Sequence, residues 1–124
     1  MTGELHGVVV GHGGVAAALV AATEEISGVR GALTAVSNTG CDRDRLEERI
    51  MAAVGEGPAV VFVDLPSGSC LFAAMRRLKG SPSVRVVTGV NVAMLLDFVF
   101  HRDEGPEAAA RRAVEVGAKA VTVR

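Results

Sequence analysis

The sequence has no tryptophan and no tyrosine, and four phenylalanines are its whole aromatic content in 124 residues. Rings on which a nucleobase or a free sugar could stack are therefore scarce, which argues against a protein that grips either one. Charge of one sign is missing as well. Thirteen Lys and Arg against fourteen Asp and Glu leave a formal net charge of -1, so the chain has no electrostatic footprint for a polyanion and no nucleic-acid partner is expected. Cysteine is nearly absent. Cys41 and Cys70 lie far apart, with no CxxC and no histidine at ligand spacing, which excludes a disulfide framework and a zinc signature and fits a reducing, cytoplasmic compartment. No metal or other cofactor is expected. Long hydrophobic runs are missing too: each apolar stretch is broken by Gly, His or charge before it could span a bilayer, and the opening "MTGELHG" lacks a basic segment followed by an apolar one. Neither export nor membrane insertion is expected.

What is present is a large apolar fraction, 49% against 22% charged, enough to build a core and too much for disorder. One domain over residues 1–124 is expected. Short apolar runs alternate with amphipathic stretches along the whole chain. The runs Leu5–Gly11, Val29–Val36, Pro58–Val63 and Val84–Thr88 read as strands. Gly14–Ser27, Arg43–Val54 behind the cap Asp42, Ser69–Lys79, Val92–His101 and Pro106 to about Val116 read as helices. The closing "AKAVTVR" alternates apolar and polar residues, and Ala118 to Val123 suits an edge strand. Strands that are continuously apolar and separated by helices predict an α/β fold with three layers: an open, mainly parallel sheet covered by helices on both faces.

Such sheets place ligands and chemistry beyond the carboxyl ends of their strands. There the sequence sets "GHGG", "VDLPSGSC" and "TGVN", so that His12, Gly13, Asp64, Ser67, Ser69 and Asn91 all gather toward one crevice. The set has chemical sense. A nucleophilic histidine needs one ring nitrogen free and the other held by an acceptor, a role open to Asp64. Glycines beside His12 allow close backbone approach, and helix starts near Gly14 and Ser69 aim N–H groups at an anion such as a phosphoryl group. Each residue also has a purely structural reading. A histidine at a strand end can simply pack, Asp64 can order its loop, and Ser69 and Asn91 can serve only as helix N-caps. His6 and His101 read as surface or helix-end residues.

Taken together, "VVVGHGGVAAAL" (Val8–Leu19), "VVFVDLPSGSC" (Val60–Cys70) and "VTGVNVAMLLDFV" (Val87–Val99) resemble the three signature segments of the EIIA component of the mannose-family phosphoenolpyruvate:sugar phosphotransferase system (PTS), in the same order and over nearly the whole chain. The resemblance implies a phosphotransferase component. It would take a phosphoryl group from phospho-HPr on His12 and pass it to an EIIB partner for sugar uptake, touching the membrane only through the transport complex. It implies that Asp64 orients His12 and that Ser69 stands close to the phosphoryl group, with Asn91 in the family's "GVN" segment; beside these, Gly13 and Ser67 are read as phosphate-binding and Asn91 as a candidate site-lining residue. It further implies strand order 2-1-3-4 and a homodimer that exchanges the final strand as an antiparallel edge. The chain departs from the family pattern at Ser67-Gly68-Ser69-Cys70, where many members have Gly-Gly-Ser-Pro, and at Gly14, where some carry an aromatic residue. The alternative reading is a regulatory module of the same fold, phosphorylated on His12 without feeding transport. A hydrolase acting through the same histidine is a further rival, although "GHG" lacks the preceding arginine of the histidine phosphatases.

Overall fold

The four apolar runs become strands that pair edge to edge through parallel ladders: β1 (His6–Gly11), β2 (Leu33–Ser37), β3 (Ala59–Val63) and β4 (Val84–Thr88), in the order β2-β1-β3-β4. The computed structural model describes residues 4–124, so the first three residues of the leading stretch read above for a targeting signal lie outside the described residues. Five helices connect and cover the strands: α1 (Val15–Ser27), α2 (Arg43–Val54), α3 (Ser69–Leu78), α4 (Val92–Val99) and α5 (Pro106–Lys119).

The strands are apolar on both faces because both faces are covered. Val9, Val60 and Phe62 point into one core with Leu95 and Phe98 of α4, Ala16 of α1 and Ala113 of α5. Val8, Val10, Val61 and Val63 point the other way, into a second core with Ile50 of α2 and Ala73 and Ala74 of α3. All five residues of β3 are buried, as the period-2 alternation of side chains requires when helices lie on each side. Phe62 and Phe98 meet edge to face, with ring centroids 5.2 Å apart and planes at 74°, a contact worth about 1 kcal/mol beyond burial. Gly7 sits where β1 passes beneath this cluster. A Cβ there would stand 2.5 Å from Leu33 Cδ2 and 2.6 Å from Phe98 Cε2, so the absence of a side chain sets the sheet-to-helix distance.

Local signals fix the helix ends. The Asp42 side chain accepts the Arg45 N–H at 2.8 Å at the start of α2, Gly28 takes the left-handed conformation (φ 76°) after α1, and Pro106 occupies the first turn of α5, as capping preferences dictate. Two expectations are corrected at the C-terminus. Helix α4 stops at Val99 rather than His101, and α5 runs on to Lys119 rather than ending near Val116. Ala118 and Lys119 are good helix formers and continue the α5 hydrogen bonding, so the edge strand expected over Ala118 to Val123 is not formed within the single chain. Residues 121–124 are exposed and carry no strand. A short alternating segment becomes a strand only against another strand's edge. The sheet is accordingly all-parallel rather than mainly parallel.

Candidate functional site

The chain moves outward from β1 in opposite directions along the sheet, to β2 on one side and to β3 on the other, so a crevice opens beyond the carboxyl ends of β1 and β3. The last pair of the β1–β3 ladder is Val10 opposite Val63, and the Asp64 N–H donates to the Val10 carbonyl at 3.1 Å. One residue past that pair on β3 and two past it on β1 stand Asp64 and His12. Asp64 Oδ2 accepts twice from His12, from the backbone N–H at 2.9 Å and from ring Nδ1 at 2.8 Å. The carboxylate thereby holds both the main chain and the ring of the histidine.

That pairing decides the tautomer. With a carboxylate oxygen on Nδ1, the proton sits on Nδ1 and the lone pair on Nε2 is left outward. Nε2 lies 3.3 Å from the Ser69 hydroxyl, at the first turn of α3, where backbone N–H groups are unpaired by the helix and the dipole is positive. Gly68 precedes this turn with φ 97°, a left-handed conformation that glycine takes without strain, and a Cβ there would stand 3.9 Å from His12 Cε1. His12 keeps 40% of its side chain exposed while Asp64 keeps 12%: an accessible ring is backed by a sheltered carboxylate. Burial pushes the Asp64 carboxyl up, but the hydrogen bonds and charge of His12 together outweigh it and hold the group below the usual carboxylate range.

Cys70 completes the base of the site. It is fully buried, its Sγ lies 3.7 Å from His12 Nδ1, and burial together with the Asp64 charge pushes its thiol up to about 11. The Nδ1, Sγ and carboxylate atoms of His12, Cys70 and Asp64 lie within 4.8 Å of one another. A cation held by these three would have to displace both the Nδ1 proton and a firmly held thiol proton, so the trio is chemically a hydrogen-bonded support for the ring rather than a ready metal ligand set.

The remaining sequence candidates divide. Ser67 lies exposed in the loop before α3 and makes no side-chain hydrogen bond among the described residues. Gly13 follows His12 with φ 58°, but its N–H is already given to Asn38 Oδ1 at 3.1 Å, so it is not a free donor. Asn91 caps α4: its Oδ1 accepts the Met94 N–H at 3.0 Å and its Nδ2 donates to the Gly117 carbonyl at 3.0 Å. Both ends of that amide are engaged by the scaffold. Ser37 and Asn38 were missed as neighbours of the site. The signal for them was the parallel pairing of β2 with β1, which sets Ser37 opposite Gly11. A groove of about 730 Å³ runs from Ser69 and Gly68 between α2 and α3, past Leu46, Leu71, Phe72 and Met75, with Arg43 stacked 4.6 Å from the Phe72 ring centroid.

An α/β sheet with a carboxylate-held histidine at its switch point, facing a helix N-terminus, sets a free ring nitrogen beside a helix end suited to an anion. The chain matches the EIIA-man family, described as "PTS system fructose IIA component", over residues 7–115, and it belongs to that family of PTS phosphotransferase components. No curated protein matches the chain. Among solved structures it is similar to a phosphotransferase system component EIIA from Streptococcus agalactiae, with a TM-score of 0.88 at 16% identity and coverage of 96% of each chain. It is similar also to the mannose/sorbose specific IIA subunit from Enterococcus faecalis, with a TM-score of 0.81 at 26% identity, covering 98% of this chain and 96% of that one. A third is the PTS IIA protein associated with the fucose utilization operon of Streptococcus pneumoniae, with a TM-score of 0.74 at 18% identity, covering 99% of this chain and 96% of that one.

Proposed function

We propose that this chain is a single-domain cytoplasmic phosphohistidine carrier that accepts a phosphoryl group from phospho-HPr on His12 Nε2 and hands it to an EIIB component for sugar uptake and phosphorylation. The observation that carries this reading is the Nδ1 contact with Asp64, which leaves Nε2 unprotonated and facing Ser69 at the start of α3. In the first transfer the donor's N–P bond breaks as the bond from phosphorus to Nε2 forms. The Nδ1 proton stays in place, and the ring's growing positive charge is met by Asp64. The Ser69 hydroxyl and the backbone N–H groups of the first α3 turn compensate the equatorial phosphoryl oxygens. The second transfer runs the same step in reverse toward EIIB. Position and electrostatics supply the catalysis, since the loose transition state asks for little covalent help.

The reading includes a homodimer in which the C-terminal segment of each subunit pairs with the other's sheet. Three features support it. The outer edge of β4 has no strand neighbour among the described residues, grooves of about 430 and 670 Å³ lie on its two sides, and Val121 and Val123 are exposed in an alternating sequence. An open edge and a free alternating segment are complementary in hydrogen bonding.

The test is incubation with phosphoenolpyruvate, Enzyme I and HPr, followed by intact mass measurement with and without acid treatment, and with His12→Ala alongside. Acid-labile phosphate on the wild type but not on the variant is the expected result. Its absence from folded wild-type protein in the presence of active HPr would overturn the carrier reading.

A further inference from the structure

The backbone around His12 is held from β2 as firmly as from β3. The Gly11 carbonyl accepts the Asn38 N–H at 3.3 Å, and the His12 carbonyl accepts the Val15 N–H at 3.2 Å. The His12 N–H goes to Asp64. The Gly13 N–H goes to Asn38 Oδ1 at 3.1 Å, and the Gly13 carbonyl accepts the Ser37 hydroxyl at 2.8 Å. Three of these bonds therefore come from Ser37 and Asn38, and those three straddle the histidine. They matter because Gly13, at φ 58°, has no side chain to restrict it and would otherwise sample many conformations. The clamp is itself anchored: Arg49 of α2 donates to the Ser37 and Thr39 carbonyls, each at 3.3 Å.

We infer that Asn38, assisted by Ser37, is a positioning residue that fixes the His12–Gly13 segment so that the imidazole meets Asp64 and Ser69 together. The inference rests on the carrier reading for its rate consequence, but not for its structural one. Asn38 touches no atom of the His12 ring in the hydrogen-bond network, so its effect passes through the Gly13 peptide. Phosphoryl transfer depends steeply on alignment, and a loosened loop spends less time in the aligned geometry.

Asn38→Leu, close in size but without hydrogen bonds, tests this against Asn38→Asp, which keeps an acceptor for the Gly13 N–H. At saturating phospho-HPr, Asn38→Leu should slow His12 phosphorylation by roughly ten- to a hundredfold with the donor KM unchanged. In NMR spectra its Gly13 amide should exchange faster and its His12 ring nitrogens should shift toward a mixed tautomer, whereas Asn38→Asp should keep both close to wild type. Ser37→Ala should give the same changes in weaker form, and it stands in if Asn38→Leu does not fold. A folded Asn38→Leu with wild-type rate and unaltered ring resonances would overturn the inference. Should the wild type take no phosphate, the ring resonances decide alone: a shift in Asn38→Leu sustains the positioning role while the carrier reading fails, and no shift overturns it.

Discussion

The loops after β3 and β4 begin alike and end differently. Each leaves a parallel strand and soon offers a short polar side chain, Asp64 after β3 and Asn91 after β4. Asp64 reaches sideways to His12, its Oδ2 alone accepting both contacts within 2.9 Å. Asn91 instead turns back on its own helix and across to α5. The difference lies in strand order rather than residue type. β3 is hydrogen-bonded to β1, so residues just past Val63 and Val10 are neighbours by construction, while β4 is one strand farther out. Over β4 lies α5, whose Gly117 brings its backbone against Met94 so closely that a Cβ would sit 2.6 Å from Met94 Cε. One side of the sheet's carboxyl end thus commits its polar groups to an exposed histidine, and the other commits them to holding helices together.

If the comparison is sound, substitution on the two sides should separate chemistry from stability. Asp64→Asn removes the charge that faces the ring yet retains one oxygen, and a single oxygen accepts both His12 donors in the wild type. A hydrogen bond to an ionised partner is worth roughly 1 kcal/mol more than a neutral one, and here it must also offset the imidazolium charge in the phosphorylated state. Phosphorylation of His12 from phospho-HPr should therefore fall by about ten- to a hundredfold, with the melting curve moved little. Rapid-quench measurement of the phosphorylated fraction checks it, and an unchanged rate would take Asp64 out of the chemistry.

Asn91→Ala should do the converse. Losing the α4 cap costs about 1 kcal/mol, and the Gly117 carbonyl loses its donor in the same substitution. Urea unfolding should show a loss of roughly 1 to 2 kcal/mol with single-turnover transfer at the wild-type rate. Slowed transfer at unchanged stability would return Asn91 to the site and erase the distinction between the two loops.

The contrast also explains what the sequence could and could not reveal. The strands were legible because both faces are buried, which makes "VVVG" and "AVVFV" apolar without interruption. His12, Asp64 and Ser69 were legible because their loops are short and fall where a doubly covered parallel sheet opens. Asn91 was open to both readings in sequence, with capping the favoured one, since a polar residue before a helix is written the same way whether it faces a ligand or caps. Ser37 and Asn38 were hidden for another reason: their role arises from the β1–β2 register and from hydrogen bonds to a glycine backbone, neither of which leaves a pattern in residue types. Ala118 to Val123 stayed open because alternation is shared by edge strands and by solvated ends, and only a partner edge decides between them.

The smallest effect expected comes from the amino end of β1, opposite the site, where His6 is half-buried with Nε2 2.8 Å from Thr34 Oγ1. Burial, and then the nearby Arg102 charge, lower its pKa below the ordinary 6.5. The unfolded chain therefore binds a proton at a pH where the folded chain still resists it, so stability falls as pH drops from the unfolded value toward the folded one. His6→Gln keeps a hydrogen-bonding side chain and removes the titration. Urea unfolding of the two proteins at about pH 7.5 and about pH 5 should show the wild type losing more stability than the variant on acidification, with His12 and His101 common to both and cancelling in the difference. Equal losses would mean that His6 is protonated in the fold as readily as outside it. In either case phosphorylation of His12 should be indifferent to the substitution, because β1 carries His6 and the site at opposite ends.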